Sequence, residues 1–198
     1  MPREGYLTPS SFADLMTNDR SGTGLGKSAI AVVNRLVMDL IGTERPEEIS
    51  PISCAWGKEN EWLAIEEYKE RYMCDVAEAV FTVSTTHPYI GGIMDGLVGS
   101  HGGIEVKCPY NSSEHLANLI EGKQIKQYIY QMQGYMFIYD LDWIDFVSFD
   151  PRYQDAYALY VQRIPRDDDL ITQIVTRCEV AYALAQDKVK MLGGLKIA

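Results

Sequence analysis

The sequence predicts an α/β sandwich: a small mixed β-sheet flanked by helices. Three observations lead there. Apolar residues recur at helical spacing over 28–41, 57–73, 123–140 and 167–191. Short β-branched or alternating runs occupy 79–84, 90–98, 103–108, 143–149 and 156–163. The order is helices, strands, a helix, strands and a helix, so the two kinds of element are interleaved along the chain.

The first long helix, SAIAVVNRLVMDLI, is closed by Gly42. In the second, GKENEWLAIEEYKERYM, Trp62, Ile65 and Tyr72 make an apolar stripe, with Glu66, Lys69 and Glu70 on the wet side. The strand at 90–98 runs into the turn DGLVGSHGG, so a hairpin with 103–108 brings Asp95 beside that second strand. KQIKQYIYQMQGYMFIYD reads as a helix with a broad apolar face. The strands at 143–149 and 156–163 pair around an Asp150-Pro151 turn, and a capped amphipathic helix runs from Asp167 to about Met191. With no internal repeat, low-complexity segment or composition break, one domain spanning 1–198 is expected.

Composition narrows the function classes. A net charge of −10 counts against nucleic-acid binding by bulk electrostatics, so a DNA-binding reading needs a local basic surface or bound cations. No charged-then-apolar leader and no run of eighteen apolar residues is present, so neither secretion nor membrane spanning is expected. Cys54, Cys74, Cys108 and Cys178 are too dispersed for an iron–sulfur cluster and read as reduced, mostly buried thiols of a cytosolic protein. His87, His101 and His115 do not have zinc-ligand spacing. SGTGLGKSA at 21–29 ends like a phosphate loop, but the pattern needs Gly where Ser21 stands, and no strand precedes it. It is read as a flexible glycine-rich loop before a helix.

The run GGIEVKCPY at 102–110 carries the chemistry. Ile104-Glu105-Val106-Lys107-Cys108 alternates apolar and charged, the pattern of a strand with one wet face. Side chains two apart on a strand share a face, about 7 Å apart, so Glu105 and Lys107 point into one space. Asp95 enters it from the hairpin. Two carboxylates placed together repel, and a divalent cation with a preference for hard oxygen ligands removes that cost. A lysine alongside can hold water or a phosphate oxygen as a point charge. This is the acid, acid-x-lysine arrangement of a metal-dependent phosphodiesterase. The spacing alone is short enough to arise by chance, and it equally fits an exposed Glu–Lys pair with Asp95 serving only the turn.

The setting adds a resemblance. GGIMDGLVGSHGGIEVKCPY at 91–110 resembles the core of the lambda exonuclease, or YqaJ-type, branch of the PD-(D/E)XK nucleases. WGKENE at 56–61 is similar to that family's Gly-Lys-x-x-Glu helix and places Glu61 at an additional active-site acid. YIYQMQGYM at 128–136 resembles the helix bearing its active-site glutamine, here Gln131, with Gln133 two residues on. FDPR at 149–152 matches another landmark. REGYLTPS at 3–10 resembles the segment whose arginine and serine bind a 5′-phosphate, here Arg3 and Ser10. There are three departures: Met94 stands where the superfamily's proline does, Ile93 where a phosphate-binding serine does, and Thr85 where a further acid does.

The resemblance implies a restriction-endonuclease-like core and a 5′→3′ exonuclease acting on double-stranded DNA ends. Such an enzyme releases 5′-mononucleotides and leaves a 3′ tail for phage-type recombination. It implies Mg²⁺, with Mn²⁺ as a substitute and two ions per site, held by Asp95, Glu105 and the Val106 carbonyl. Lys107 would position or deprotonate the attacking water, while Glu61 and Gln131 complete the site. A homotrimeric ring, a single-strand annealing protein as partner and a phage or prophage origin in a bacterial cytoplasm are further implications. The alternatives are a structure-specific endonuclease or nickase of the same fold, and a non-catalytic DNA-end-binding protein.

Overall fold

The computed structural model describes residues 4–43, 52–122 and 125–193. Its elements run in the expected order. A 3-10 turn at Pro9–Ser11 leads into α1 (Phe12–Leu15), α2 (Lys27–Leu40) and α3 (Ile52–Tyr72). Then come β1 (Thr82–Val83), β2 (Gly91–Gly92), β3 (Gly96–Val98) and β4 (Gly102–Lys107). Two helices follow, α4 (Ser112–Glu121) and α5 (Ile125–Tyr139), then β5 (Trp143–Phe149), β6 (Leu159–Pro165) and α6 (Asp168–Gly193).

The main sheet has the order β3-β4-β5-β6. It is mixed: β3 is antiparallel to β4, β4 parallel to β5, and β5 antiparallel to β6. A parallel pair needs a crossover, and α4 with α5 supplies it. The expected strands at 79–84 and 90–98 survive only as short pieces, with β1 and β2 forming a separate two-stranded ribbon.

The helix α4 is an addition to the expected elements. Its signal is a cap: Asn111 accepts the Ser113 N–H, Glu114 lies in the first turn, and Gly122 closes the helix at φ +59°.

Helices cover both faces of the sheet. On one face, Ala64 and Tyr68 of α3 pack with Ile104, Val106, Val147 and Phe149. The expected stripe on this helix is overturned, since Trp62 is 61% and Tyr72 47% exposed. The inward face is instead Asn60, Ala64 and Tyr68. Asn60 and Tyr68 turn inward because each satisfies its polar group, on the Trp56 carbonyl and the Asp145 carboxylate. On the other face, Met132, Tyr135 and Met136 of α5 pack with Ile144 and Phe146. Beyond α5 lies a helical layer in which Val33 and Leu36 of α2 meet Ile174, Cys178 and Ala181 of α6.

The N-terminal segment is fastened to this frame. Leu7 bridges Ile90, and the Leu7 N–H donates to the Tyr89 carbonyl at 2.8 Å. Pro9 and Phe12 approach α5 so closely at Gly134 that a side chain there would strike both.

The glycine-rich run at 19–26 is an ordered loop, since Asp19 receives the Ser21 and Gly24 N–H groups. It opens α2 at Lys27, and α1 precedes it, so the phosphate-loop pattern fails structurally as well. The cysteines are free, and the expectation of burial holds for Cys178 but not for Cys54, which is exposed.

Candidate active site

The alternation in β4 does not mark a wet face. The strand is buried on both sides, and Glu105 is 1% exposed. Its carboxylate therefore lies in the interior, where an isolated charge is costly. Two donors meet it: Lys107 Nζ and Gln131 Nε2 each lie 2.6 Å from Glu105 Oε1. The other oxygen, Oε2, is buried and makes no hydrogen bond. A carboxyl oxygen in that state is a candidate ligand for a cation that displaces its proton.

The hairpin delivers Asp95 as expected. Gly96 pairs with Ile104 and Val98 with Gly102, with Gly99 turning at φ +59°. Asp95, one residue before β3, accepts the Val106 N–H through Oδ2 at 2.6 Å. In an extended strand the N–H and C=O of one residue point to the same side. The Val106 carbonyl therefore faces Asp95.

Glu61 joins from α3, half-buried. Burial pushes its carboxyl above the usual range, and Asp95 pushes it further, against Lys107 and Lys58. Burial likewise pushes Glu105 up to about 8, with Asp95 adding to the shift and Lys107 opposing it. Burial works against the charged Lys107, yet Glu105 and Asp95 outweigh it and hold the ammonium above its ordinary pKa.

These groups fit a divalent cation. They supply hard oxygen donors, excess negative charge and one buried oxygen without a partner. Among the described residues no three His, Cys, Asp or Glu side chains make a complete cage. Two carboxylates and a main-chain carbonyl would leave positions for water and substrate oxygens, as Mg²⁺ prefers.

The structure thus brings together Asp95, Glu105, Val106, Lys107, Glu61 and Gln131. Gln133 is turned elsewhere: it donates to the Pro165 carbonyl and receives the Asp167 N–H, tying α5 to the junction between β6 and α6. Ser10 is exposed and shares a 3.1 Å hydrogen bond with Thr8, on the segment that docks one helical turn from Gln131. Arg3 lies outside the described residues. Thr85 is exposed, and Ile93 packs at the edge of the α5-side core.

Two features of the site escaped the sequence reading. Tyr128 places its ring 4.7 Å from Lys107 Nζ. Asp150 and Arg152, noted only as a landmark, form a clamp: Arg152 bonds both Asp150 oxygens and donates to the Pro109 and Tyr110 carbonyls, just past the site strand. Its guanidinium also lies 4.5 Å from the centroid of the Trp56 ring, on the helix that carries Glu61. Burial works against the charged Asp150, but the Arg152 and Ser112 bonds outweigh it and hold the carboxyl low. Cys108, between site and clamp, is pushed up to about 12 by burial and the nearby acids, so it is a neutral thiol.

The model of the YqaJ-like viral recombinase domain matches residues 2–142. The chain belongs to the YqaJ-like viral recombinase family. A crystal structure of an alkaline exonuclease from Laribacter hongkongensis is similar to this recombinase domain at a TM-score of 0.86 and 32% identity, over 96% of this chain and 93% of that one. The same exonuclease in complex with dAMP gives 0.86 and 34%, over 96% and 92%. A phage-related exonuclease from Haemophilus somnus 129PT shares the fold, at 0.77 and 21% identity over 94% and 96%. No curated protein matches the chain. The similarity supports a nuclease of the YqaJ-like recombinase family, with the restriction-endonuclease-like mixed sheet that the resemblance implied. No described helix is long and apolar enough to cross a membrane.

Proposed function

We propose that this chain is a Mg²⁺-dependent 5′→3′ exonuclease of double-stranded DNA ends, releasing 5′-mononucleotides and leaving a 3′ single-stranded tail for recombination. The observation that carries this reading is the buried Glu105 carboxylate, held on one oxygen by Lys107 and Gln131 and open on the other. Family membership supports DNA-end processing, and the similar alkaline exonuclease bound to dAMP supports a mononucleotide product.

In this reading Asp95, Glu105 and the Val106 carbonyl hold Mg²⁺ or Mn²⁺, two ions per site. When bound, such ions lower the pKa of water and neutralise charge developing on phosphorus. The chain's own residues do the rest. Gln131 fixes one Glu105 oxygen so that the other keeps its direction. Lys107 presents a persistent positive charge to the attacking water or to a phosphate oxygen. Glu61, whose proton affinity is raised, accepts or returns a proton at the edge of the site. Arg3 and Ser10 bind the 5′-phosphate. The net charge of −10 is compatible with DNA binding if the chain assembles as a homotrimeric ring whose channel alone is basic. A single-strand annealing protein, acting with it in the cytoplasm of a bacterial host, would coat the 3′ tail.

The deciding experiment digests linear duplex DNA carrying a 5′-phosphate or a 5′-hydroxyl, with Mg²⁺ or EDTA, beside a closed circular control. Metal-dependent loss of the linear DNA alone, faster with the phosphate, is expected. Cutting of the circle would make the chain an endonuclease, and no cleavage with Mg²⁺ or Mn²⁺ would leave a DNA-end-binding protein.

A further inference from the structure

Lys107 has a long, flexible stem, and an ammonium without fixed neighbours samples many positions. Two contacts hold it here. One is the Glu105 carboxylate, at 2.6 Å. The other is the face of Tyr128, whose ring centroid lies 4.7 Å from Nζ. That ring is itself fixed. It stacks on Phe146 at 5.8 Å with an interplanar angle of 22°, and Phe146 is fully buried on β5 as the register partner of Glu105. Tyr128 also precedes Gln131 by three residues on α5, so both side chains come off one helix face. One helix thus grips both members of the Glu105–Lys107 pair.

The two contacts on Lys107 differ in kind. The carboxylate attracts through its charge when ionised, and that attraction weakens once Glu105 shares its charge with a divalent cation. The ring attracts through its quadrupole, which no cation at Glu105 removes. From this geometry we infer that Tyr128 is a positioning residue, whose ring face keeps the Lys107 ammonium in place after Glu105 turns its charge to a cation. The inference rests on the nuclease reading for its consequence in turnover, and on the packing of Tyr128 alone for the hold itself.

The test replaces Tyr128 with Phe, 3,5-difluoro-Phe and 3,4,5-trifluoro-Phe, a series that keeps ring shape and packing while draining charge from the ring face. On linear 5′-phosphorylated duplex with Mg²⁺, kcat is expected to fall along the series by about tenfold overall, with KM steady. A second readout does not use activity. In protein carrying ¹³C-lysine, assigned with Lys107→Arg, the Lys107 Hε protons are expected upfield from the ring current, and to stay there when Mg²⁺ is added. Tyr128→Leu should return them to the ordinary lysine position. A flat kcat series in an active enzyme would overturn the inference, and so would Hε protons that move to the ordinary position on adding Mg²⁺. A wild-type chain without nuclease activity would overturn the nuclease reading instead, and the Lys107 resonances would then decide the hold on their own.

Discussion

Asp95 accepts the backbone N–H of Val106, the residue between Glu105 and Lys107, at 2.6 Å. A carboxylate that is itself a candidate cation ligand therefore also fixes the strand that carries the other ligands. Asp95→Asn keeps an acceptor for that N–H but loses the charge, whereas Asp95→Ala loses both. Cleavage of linear duplex DNA should drop on the order of 100-fold or more in both variants. Only the Ala variant should also lose stability, by about 1–3 kcal/mol for the unsatisfied N–H. Urea titrations beside the digestion assay separate the two effects. Unimpaired cleavage by Asp95→Asn would remove Asp95 from the site.

Gln131 bears on the same site through Glu105. Its amide takes up one carboxylate oxygen and leaves Oε2 open. Gln131→Ala removes that restraint, and Mn²⁺ affinity measured by calorimetry should fall by about tenfold or more. Wild-type affinity in this variant would show that Glu105 is oriented without it.

How far the site was legible follows from what sequence spacing encodes. Asp95, Glu105 and Lys107 were readable because a hairpin and a period of two place them without any knowledge of the core. The burial of Glu105 was not, since alternation looks the same whether the second face meets water or a helix, and here α5 covers it. Nor is the role of Tyr128 legible, because aromatics on the broad apolar face of a helix usually pack in the core, and its contact with Lys107 depends on how α5 crosses the sheet. The Trp62, Ile65 and Tyr72 stripe failed for the converse reason. Tyr68 and Asn60 look polar, yet each finds its partner inside, and that is a tertiary property.

The Asp150–Arg152 clamp makes a prediction about stability. The Asp150 side chain is fully buried, while that of Arg152 is 41% exposed. Removing the arginine side chain leaves a buried carboxylate held by the Ser112 hydroxyl and the backbone N–H of residue 152. Breaking a buried pair costs about 3–5 kcal/mol, and water reaching this half-open arginine site puts Arg152→Ala near or below the low end. The double variant Asp150→Asn with Arg152→Ala should be less unstable than the sum of the two single variants, because no buried charge is stranded. Additive losses in urea unfolding would mean that the pair does not act as a unit. Because Arg152 also holds the Pro109 and Tyr110 carbonyls, the Ala variant should lose cleavage rate as well.

The raised Glu105 carboxyl fixes the sign of a pH dependence. Its pKa moves from the ordinary 4.5 to about 8 on folding, through burial first and Asp95 second. Across that window the folded chain keeps a proton that the unfolded chain has released, so stability without metal falls as pH rises, and the fall is complete above about pH 8. Glu61 shifts in the same direction and adds to the effect. A divalent cation competes with that proton and binds the ionised carboxylate, so its affinity rises as pH rises toward 8. The increase in Tm on adding Mg²⁺ should therefore be larger at about pH 8 than at about pH 6. Glu105→Gln carries neither the charge nor the proton. It should remove most of the metal-free pH dependence, leaving the part due to Glu61, and abolish most of the Mg²⁺ shift. Scanning calorimetry of the two proteins, with and without Mg²⁺, reads both. A Mg²⁺ shift that does not vary with pH, or that persists in Glu105→Gln, would place the cation elsewhere than on Glu105.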